Sequence, residues 1–265
     1  MNRRTHISSR SFVEYLLMTS LLLAGSAVQA DKMVKSRTIN CDKGQDPSAI
    51  LELNPGPQPL VLVLEGTCPG FAIGRDAVTV TADDENGCPA ATVDGTIFVR
   101  GQRTTISCLT VTGSGPGIVV ENAAAQIRDS SMSGNDQVGV SAAQAIVSVT
   151  GGEISGNIGG GVIATSSRVG ITGADVTNNG GEGLAATTNS SADIDQAYIS
   201  GNTGSDLFLS LHSVATGQGN TIGTINVQLD SGVSLDGSIS GPFGCADTES
   251  SVLINGVVPA GCTGF

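Results

Sequence analysis

Two carboxylates, Glu153 and Asp175, each stand directly before an aliphatic residue, and the interval between them, about 22 residues, lies in the range of stacked-repeat proteins. If that interval is one turn of a stacked coil, both side chains leave the same lateral face about 4.8 Å from each other. Carboxyl groups at roughly 5 Å suit a retaining glycosidase, because mutual repulsion raises one pKa enough to make an acid. Asp129 and Asp195 flank the pair in nearby positions, so the same oxygens also suit Ca2+. No other cofactor is expected. Arg128, just before Asp129, is the cation placed to neutralise a substrate carboxylate or to help a base. The plainer account of all four is exposed turn chemistry, with Arg128 and Asp129 a solvated pair worth almost nothing.

Ligand-binding aromatics are scarce. Beyond residue 30 the chain has no Trp, one Tyr and five Phe. Tyr198 and Phe208 are the aromatics of the later coils, and each is a candidate platform for a sugar ring. His212, the one histidine beyond residue 30, falls in a turn, where histidines are usually solvated.

These residues hang on a repeat. Gly95/Ile97, Gly117/Ile118, Gly139/Val140, Gly161/Val162 and Gly183/Leu184 recur with a constant period of about 22 residues, and a weaker copy begins at Asp206/Leu207, one position late. Such a period marks a solenoid, whose units bury their apolar faces only by stacking. The copies from Gly117, Gly139 and Gly161 align without gaps: Ile118, Val140, Val162; Ile127, Val149, Ile171; Met132, Ile154, Val176. Apolar residues two apart have the period of a strand, so each repeat is three short strands and three turns. One extra residue, near Thr188 and Asn189, is absorbed by a turn. Thirty-seven glycines exclude a helical repeat.

Asn135, Asn157, Asn179 and Asn202 share one column, and coils about 4.8 Å apart let their amides bond up the stack as a ladder. Gly134, Gly156 and Gly201 precede three of them and supply positive φ at a tight bend. The run from Gly139 to Asn157, with its Ile-Ser-Gly-Asn close, resembles the repeat of right-handed parallel β-helix proteins of the pectin-lyase-like superfamily. The resemblance implies an all-β solenoid of about eight coils. Its members include polysaccharide lyases, glycosidases, uronan epimerases and non-catalytic adhesins, so a reaction has to be argued from a site.

The expected organisation is a secretory signal peptide at 1–30, an N-terminal cap at 31–59, the β-helix at 60–239 and a C-terminal cap at 240–265. Arg3, Arg4 and Arg10 precede an apolar stretch from Leu16 to Ala24, and Val28-Gln29-Ala30 offers a cleavage site. That stretch is too short for a membrane span. In the first cap, Asp46 and Pro47 read as the N-cap and first residue of a short helix ending at Leu53. Six cysteines follow residue 30, an even number that points to disulfides in an extracellular or periplasmic protein. Of fifteen pairings, Cys88 with Cys108 spans about one coil, Cys245 with Cys262 closes the second cap, and Cys41 with Cys68 is the pair left over.

Beyond residue 30, 9 Lys and Arg face 23 Asp and Glu, and no basic residue follows Arg168. Nucleic acid and anionic membrane are therefore excluded as partners. Turns of nearly uniform length leave little material for the walls of a catalytic cleft. The sequence thus favours a secreted monomer whose rigid lateral face binds an extended polymer, a polysaccharide above all. A carbohydrate-active enzyme using Glu153, Asp175, Asp129 and Arg128 is the alternative, and a structural component of an envelope or matrix is the third reading.

Overall fold

The computed structural model describes residues 34–82, 88, 91–246 and 249–259. Its strands stack in parallel as a β-solenoid of about ten turns. Residues 1–30, read as a signal peptide, lie outside the described residues, and among those described no helix is long and apolar enough to cross a membrane.

Each central coil contributes one strand to each of three walls. In one coil these are Ile118–Glu121, Ala124–Arg128 and Ser131–Asn135; in the next, Val138–Ala143, Ile146–Thr150 and Glu153–Ser155. Every strand pairs with its counterpart one coil away, so that Ile118, Val140, Val162, Leu184 and Leu207 form one column, all fully buried. Isoleucine, valine and leucine alternate with outward polar or small residues because successive side chains of a strand leave opposite faces.

The corners are fixed by backbone conformation. Between the second and third walls left-handed residues turn the chain in successive coils, one each at Asp129, Gly173, Gln196 and Gly219 and two at Gly151 and Gly152. Between the first and second walls Asn122, Gln144 and Ser166 do the same, and the extra residue of the following coil appears as two left-handed residues, Thr188 and Asn189. Gly134, Gly156 and Gly201 have φ of 65°, 62° and 73°, as the tight bend requires.

The third turn is held by the asparagine ladder. Asn135 Nδ2 donates to Asn157 Oδ1 at 2.8 Å, Asn157 to Asn179 at 2.9 Å and Asn179 to Asn202 at 2.9 Å. The amide oxygens of Asn157, Asn179 and Asn202 also accept the backbone N–H of the asparagine below, and the Nδ2 of each reaches a carbonyl there. The sequence did not suggest how the ladder ends. Asp206 closes it: Oδ1 accepts from the Asn202 backbone N–H and Nδ2, while Oδ2 accepts from the Thr224 backbone N–H and hydroxyl. At the opposite end Gly113 takes the column, and the buried Asn135 Oδ1 has no hydrogen-bond partner among the described residues.

A second ladder, of serines, pins the first turn. The hydroxyls of Ser167, Ser190, Ser213 and Ser231 accept the backbone N–H of Ala145, Ser167, Ser190 and Ser213 at 3.0 to 3.1 Å.

Coils number about ten rather than eight because the step changes along the chain. Leu207 is in register with Ile225 and Ile225 with Phe243. That shorter step is the one between Ser213 and Ser231 in the serine ladder, 18 residues. The third turn shrinks there to Gly223-Thr224, which removes the residues that carried the asparagine signal. Parallel pairing also reaches into both segments assigned to caps, at Lys35–Asn40 on Leu60–Glu65 and at Ser251–Ile254 on Gly232–Ile239. The capping helix α1, Pro47–Leu53, is as expected: Asp46 accepts the Ser48 N–H at 2.8 Å and Pro47 opens the helix.

Cys41 bonds Cys68 and Cys88 bonds Cys108, with Cα separations of 5.0 and 4.5 Å. Cys245 is also disulfide-bonded, and Cys262, its expected partner, lies outside the described residues.

Asn157→Ala should strand the Asn135 N–H and amide and the Met132 carbonyl inside the stack. At about 1–3 kcal/mol per unsatisfied group before relaxation, the expected loss is about 2–5 kcal/mol. It would appear as a lower urea midpoint by circular dichroism.

Candidate functional site

Glu153 and Asp175 open the strands Glu153–Ser155 and Asp175–Thr177 and face each other in register on the outside of the third wall. Both are exposed. Their Cα register puts them one strand spacing apart, about 4.8 Å. The next rung above Asp175 is Tyr198, 45% exposed, and the rung below Glu153 is Ser131. Two residues further along the same strands, Ser133, Ser155, Thr177 and Ser200 form a parallel column of hydroxyls.

Composition alone marks Tyr198 as a ligand platform and does not place it beside the carboxylates. Carrying the one-residue insertion at Thr188-Asn189 through the alignment puts it in their column, and that signal was available. The chemistry of the row is consistent along its length: acceptors at Glu153 and Asp175, an aromatic face at Tyr198, and donors or acceptors at the flanking hydroxyls.

Asp129 belongs to the same neighbourhood. It occupies the left-handed corner residue before Ser130 and Ser131, with φ of 46°, and shares with Glu153 a shallow depression of about 410 Å3 that Ser131, Gly152 and Cys88 also line. An aspartate tolerates that backbone better than a branched residue does. Asp195, expected to flank the carboxylates, instead caps a corner by accepting the Gln218 N–H at 3.1 Å. Among the described residues no group of three or more His, Cys, Asp or Glu side chains converges to hold a metal ion.

Arg128 stands apart from the carboxylates. It ends the strand Ala124–Arg128 before the corner, so its side chain projects from the second wall, where it donates to Gln126 Oε1 at 2.7 Å. Glu153 lies past the corresponding corner of the next coil. A change of wall separates groups that the sequence places close together. Phe208 is elsewhere again, half-buried on the outer face of the first wall in a column with Ile163 and Ala185. Tyr198 and Phe208 therefore do not share a binding face. His212 pairs with Asp230 at 3.4 Å across two left-handed corners, both side chains largely exposed.

Residues 95–240 match the family described as the right-handed beta helix region. The chain belongs to the right-handed beta helix family. Solved structures similar to this beta helix are tailspike protein 2 from Escherichia coli O157:H7 bacteriophage CAB120, with a TM-score of 0.56 and 13% identity over 78% of this chain and 36% of the other; an alginate lyase from Paenibacillus sp. str. FPU-7, with a TM-score of 0.51 and 17% identity over 82% and 98%; and the pectate lyase Pel9A, with a TM-score of 0.53 and 12% identity over 87% and 83%. The chain spans about a third of the tailspike's length. No curated protein sequence matches this beta helix. Identities this low establish a shared fold.

Like charges directly opposed on neighbouring strands destabilise a sheet. Glu153→Gln should therefore raise the stability of the beta helix by about 0.2–1 kcal/mol, and the gain should shrink in high salt, which screens exposed charges. Urea titrations at low and high ionic strength would read both effects.

Proposed function

We propose that this is an exported beta-helix protein whose third wall binds an extended polysaccharide. The observation that carries the reading is the succession of Glu153, Asp175 and Tyr198 on adjacent rungs, beside a continuous row of Ser and Thr hydroxyls. Carboxylates and hydroxyls match the hydroxyls of a sugar, and an aromatic ring covers the apolar face of a pyranose. A row repeating about every 4.8 Å along a rigid stack favours a linear ligand lying along the solenoid axis. The names of two structural neighbours, an alginate lyase and a pectate lyase, support a polymer of that class. Export is supported by the disulfides, which persist in oxidising compartments, and by the signal-peptide pattern before Asp31.

Catalysis is the second reading, favoured by the spacing of Glu153 and Asp175, which fits a double-displacement glycosidase. Both carboxylates are exposed on an open wall with only a shallow depression beside Glu153, and among the described residues nothing desolvates either one or shuts out water. Binding therefore ranks ahead of turnover.

Affinity electrophoresis through gels cast with plant, algal and bacterial polysaccharides tests the binding. The protein should be retarded by at least one polymer. Tyr198→Ala should weaken that retardation about threefold to tenfold, the value of one aromatic contact, while Phe208→Ala, on another wall, should leave it unchanged. No retardation by any polymer defeats the binding reading. Release of reducing ends or unsaturated uronates, abolished by Glu153→Gln, would put the catalytic reading in its place.

A further inference from the structure

The outer face of the second wall carries a charge pattern that complements itself. Arg128, Thr150, Thr172, Asp195, Gln218 and Asp236 form one column in register across six coils. Four residues earlier on the same strands, Ile146, Arg168, Ser191 and Val214 form another. Consider a line between the strands Arg168–Thr172 and Ser191–Asp195. The third strand out on one side ends in exposed Arg128, and the third on the other side holds exposed Asp236 in the same column. The second strand out carries Ile146 on one side, 60% exposed, and Val214 on the other, 45% exposed, again in one column. Arg168 lies immediately on one side of the line, with Ser191 and exposed Asp193 on the other.

We infer that a second copy of this chain docks on this wall, related by a two-fold axis parallel to the strands along that line. Rotation about such an axis keeps each column and reverses the order of the coils. Arg128 of each copy then faces Asp236 of the other, so the pair forms twice. Ile146 meets Val214 twice, and each Arg168 lies over the opposing Ser191 and Asp193. A shallow depression of about 260 Å3 over Ala124 and Gln126, bounded by Ile146 and Ser148 on one side and Arg103 on the other, borders the point where the opposing Val214 meets Ile146.

Charge selects this partner over a polyanion. Beyond residue 30 the chain is strongly acidic, with no cation after Arg168, and the same wall turns acidic at Asp193 and Asp236. A uniformly negative polymer that meets the arginines must run onto those aspartates, whereas an inverted copy presents each sign to its opposite. Two equally acidic chains repel overall. The footprint, six strands by five residues or about 29 by 16 Å, belongs with small, transient interfaces. The dimer is therefore weak and concentration-dependent, and replaces the monomer expected from the sequence. It leaves the third wall of each copy free, so it does not depend on the polysaccharide reading.

Sedimentation velocity over a wide concentration range, with circular dichroism to verify folding, tests the inference. Wild-type protein should rise in mass from one chain toward two. Arg128→Glu and Asp236→Arg should each weaken association about a hundredfold, because each puts like charges face to face, and the double variant Arg128→Glu/Asp236→Arg should dimerise again. That recovery separates a lost contact from a damaged fold. A wild-type protein that stays monomeric at its highest concentration overturns the inference, as do an Arg128→Glu variant that dimerises normally and a double variant that stays apart. A monomer whose retention on an acidic polysaccharide gel is lost in Arg128→Glu overturns it in favour of a polymer on this wall. Tyr198→Ala should leave the dimer intact whether or not polysaccharide is bound, so failure of either proposal is visible without the other.

Discussion

Every feature of this molecule depends on the in-register parallel pairing of one coil with the next. A single coil is too thin to hide its own apolar side chains, so Ile118, Val140 and Val162 are buried only because each caps the one below. A slip of one residue would turn that column out to water and bring the polar column in. Two ladders guard against it. Asparagines at the third turn and serines at the first each join a side chain of one coil to the backbone of its neighbour, so both turns resist sliding. The same lock gives each outward side chain fixed companions above and below. Chemistry on such a surface is chemistry of columns, and neighbours along the chain often point to different walls.

The ladder shows what happens when the register must change. Beyond Asn202 the third turn loses its asparagine and the coil contracts, so that Asp206 reaches Thr224 across only 18 residues. Asn202 would be left with unpaired donors in the interior. The buried carboxylate of Asp206 meets the deficit, taking two donors from the long coil with one oxygen and two from the short coil with the other. Four hydrogen bonds to one carboxylate offset the cost of burying its charge. An asparagine in its place could not accept through both arms, and that explains why an acid stands where the pattern changes.

The sequence made the repeat legible wherever its step was constant. Period, three strands per coil, the asparagine column, the positive-φ glycines, helix α1 and the pair Cys88–Cys108 were all readable, because each depends on local chemistry or on spacing along one column, whereas Cys41–Cys68 followed only as the pair left over. The later coils were not, since their shorter step shares no period with the longer one before it. The serine ladder was hidden for another reason: in earlier coils Ala123 and Ala145 hold the same column, so no residue type marks it. Arg128 illustrates the limit for sites. It is adjacent in sequence to Asp129, yet one left-handed residue at the corner sends the two to different walls.

That separation of walls bears on what the molecule can do. A catalytic site needs groups converging from several directions on one substrate atom, with water kept out. A solenoid with short corners offers the reverse: flat walls, each a lattice of side chains about 4.8 Å apart along the axis and about 7 Å apart along a strand. Flatness costs an enzyme its cleft but suits a ligand that is itself long and periodic, since the wall is already ordered before contact and loses little entropy on binding. The opposed carboxylates Glu153 and Asp175 make sense in that light. Each repels the other in the free protein, and a row of sugar hydroxyls donating to both would replace that repulsion with hydrogen bonds, so the rung that destabilises the empty wall is the one with most to gain from being covered.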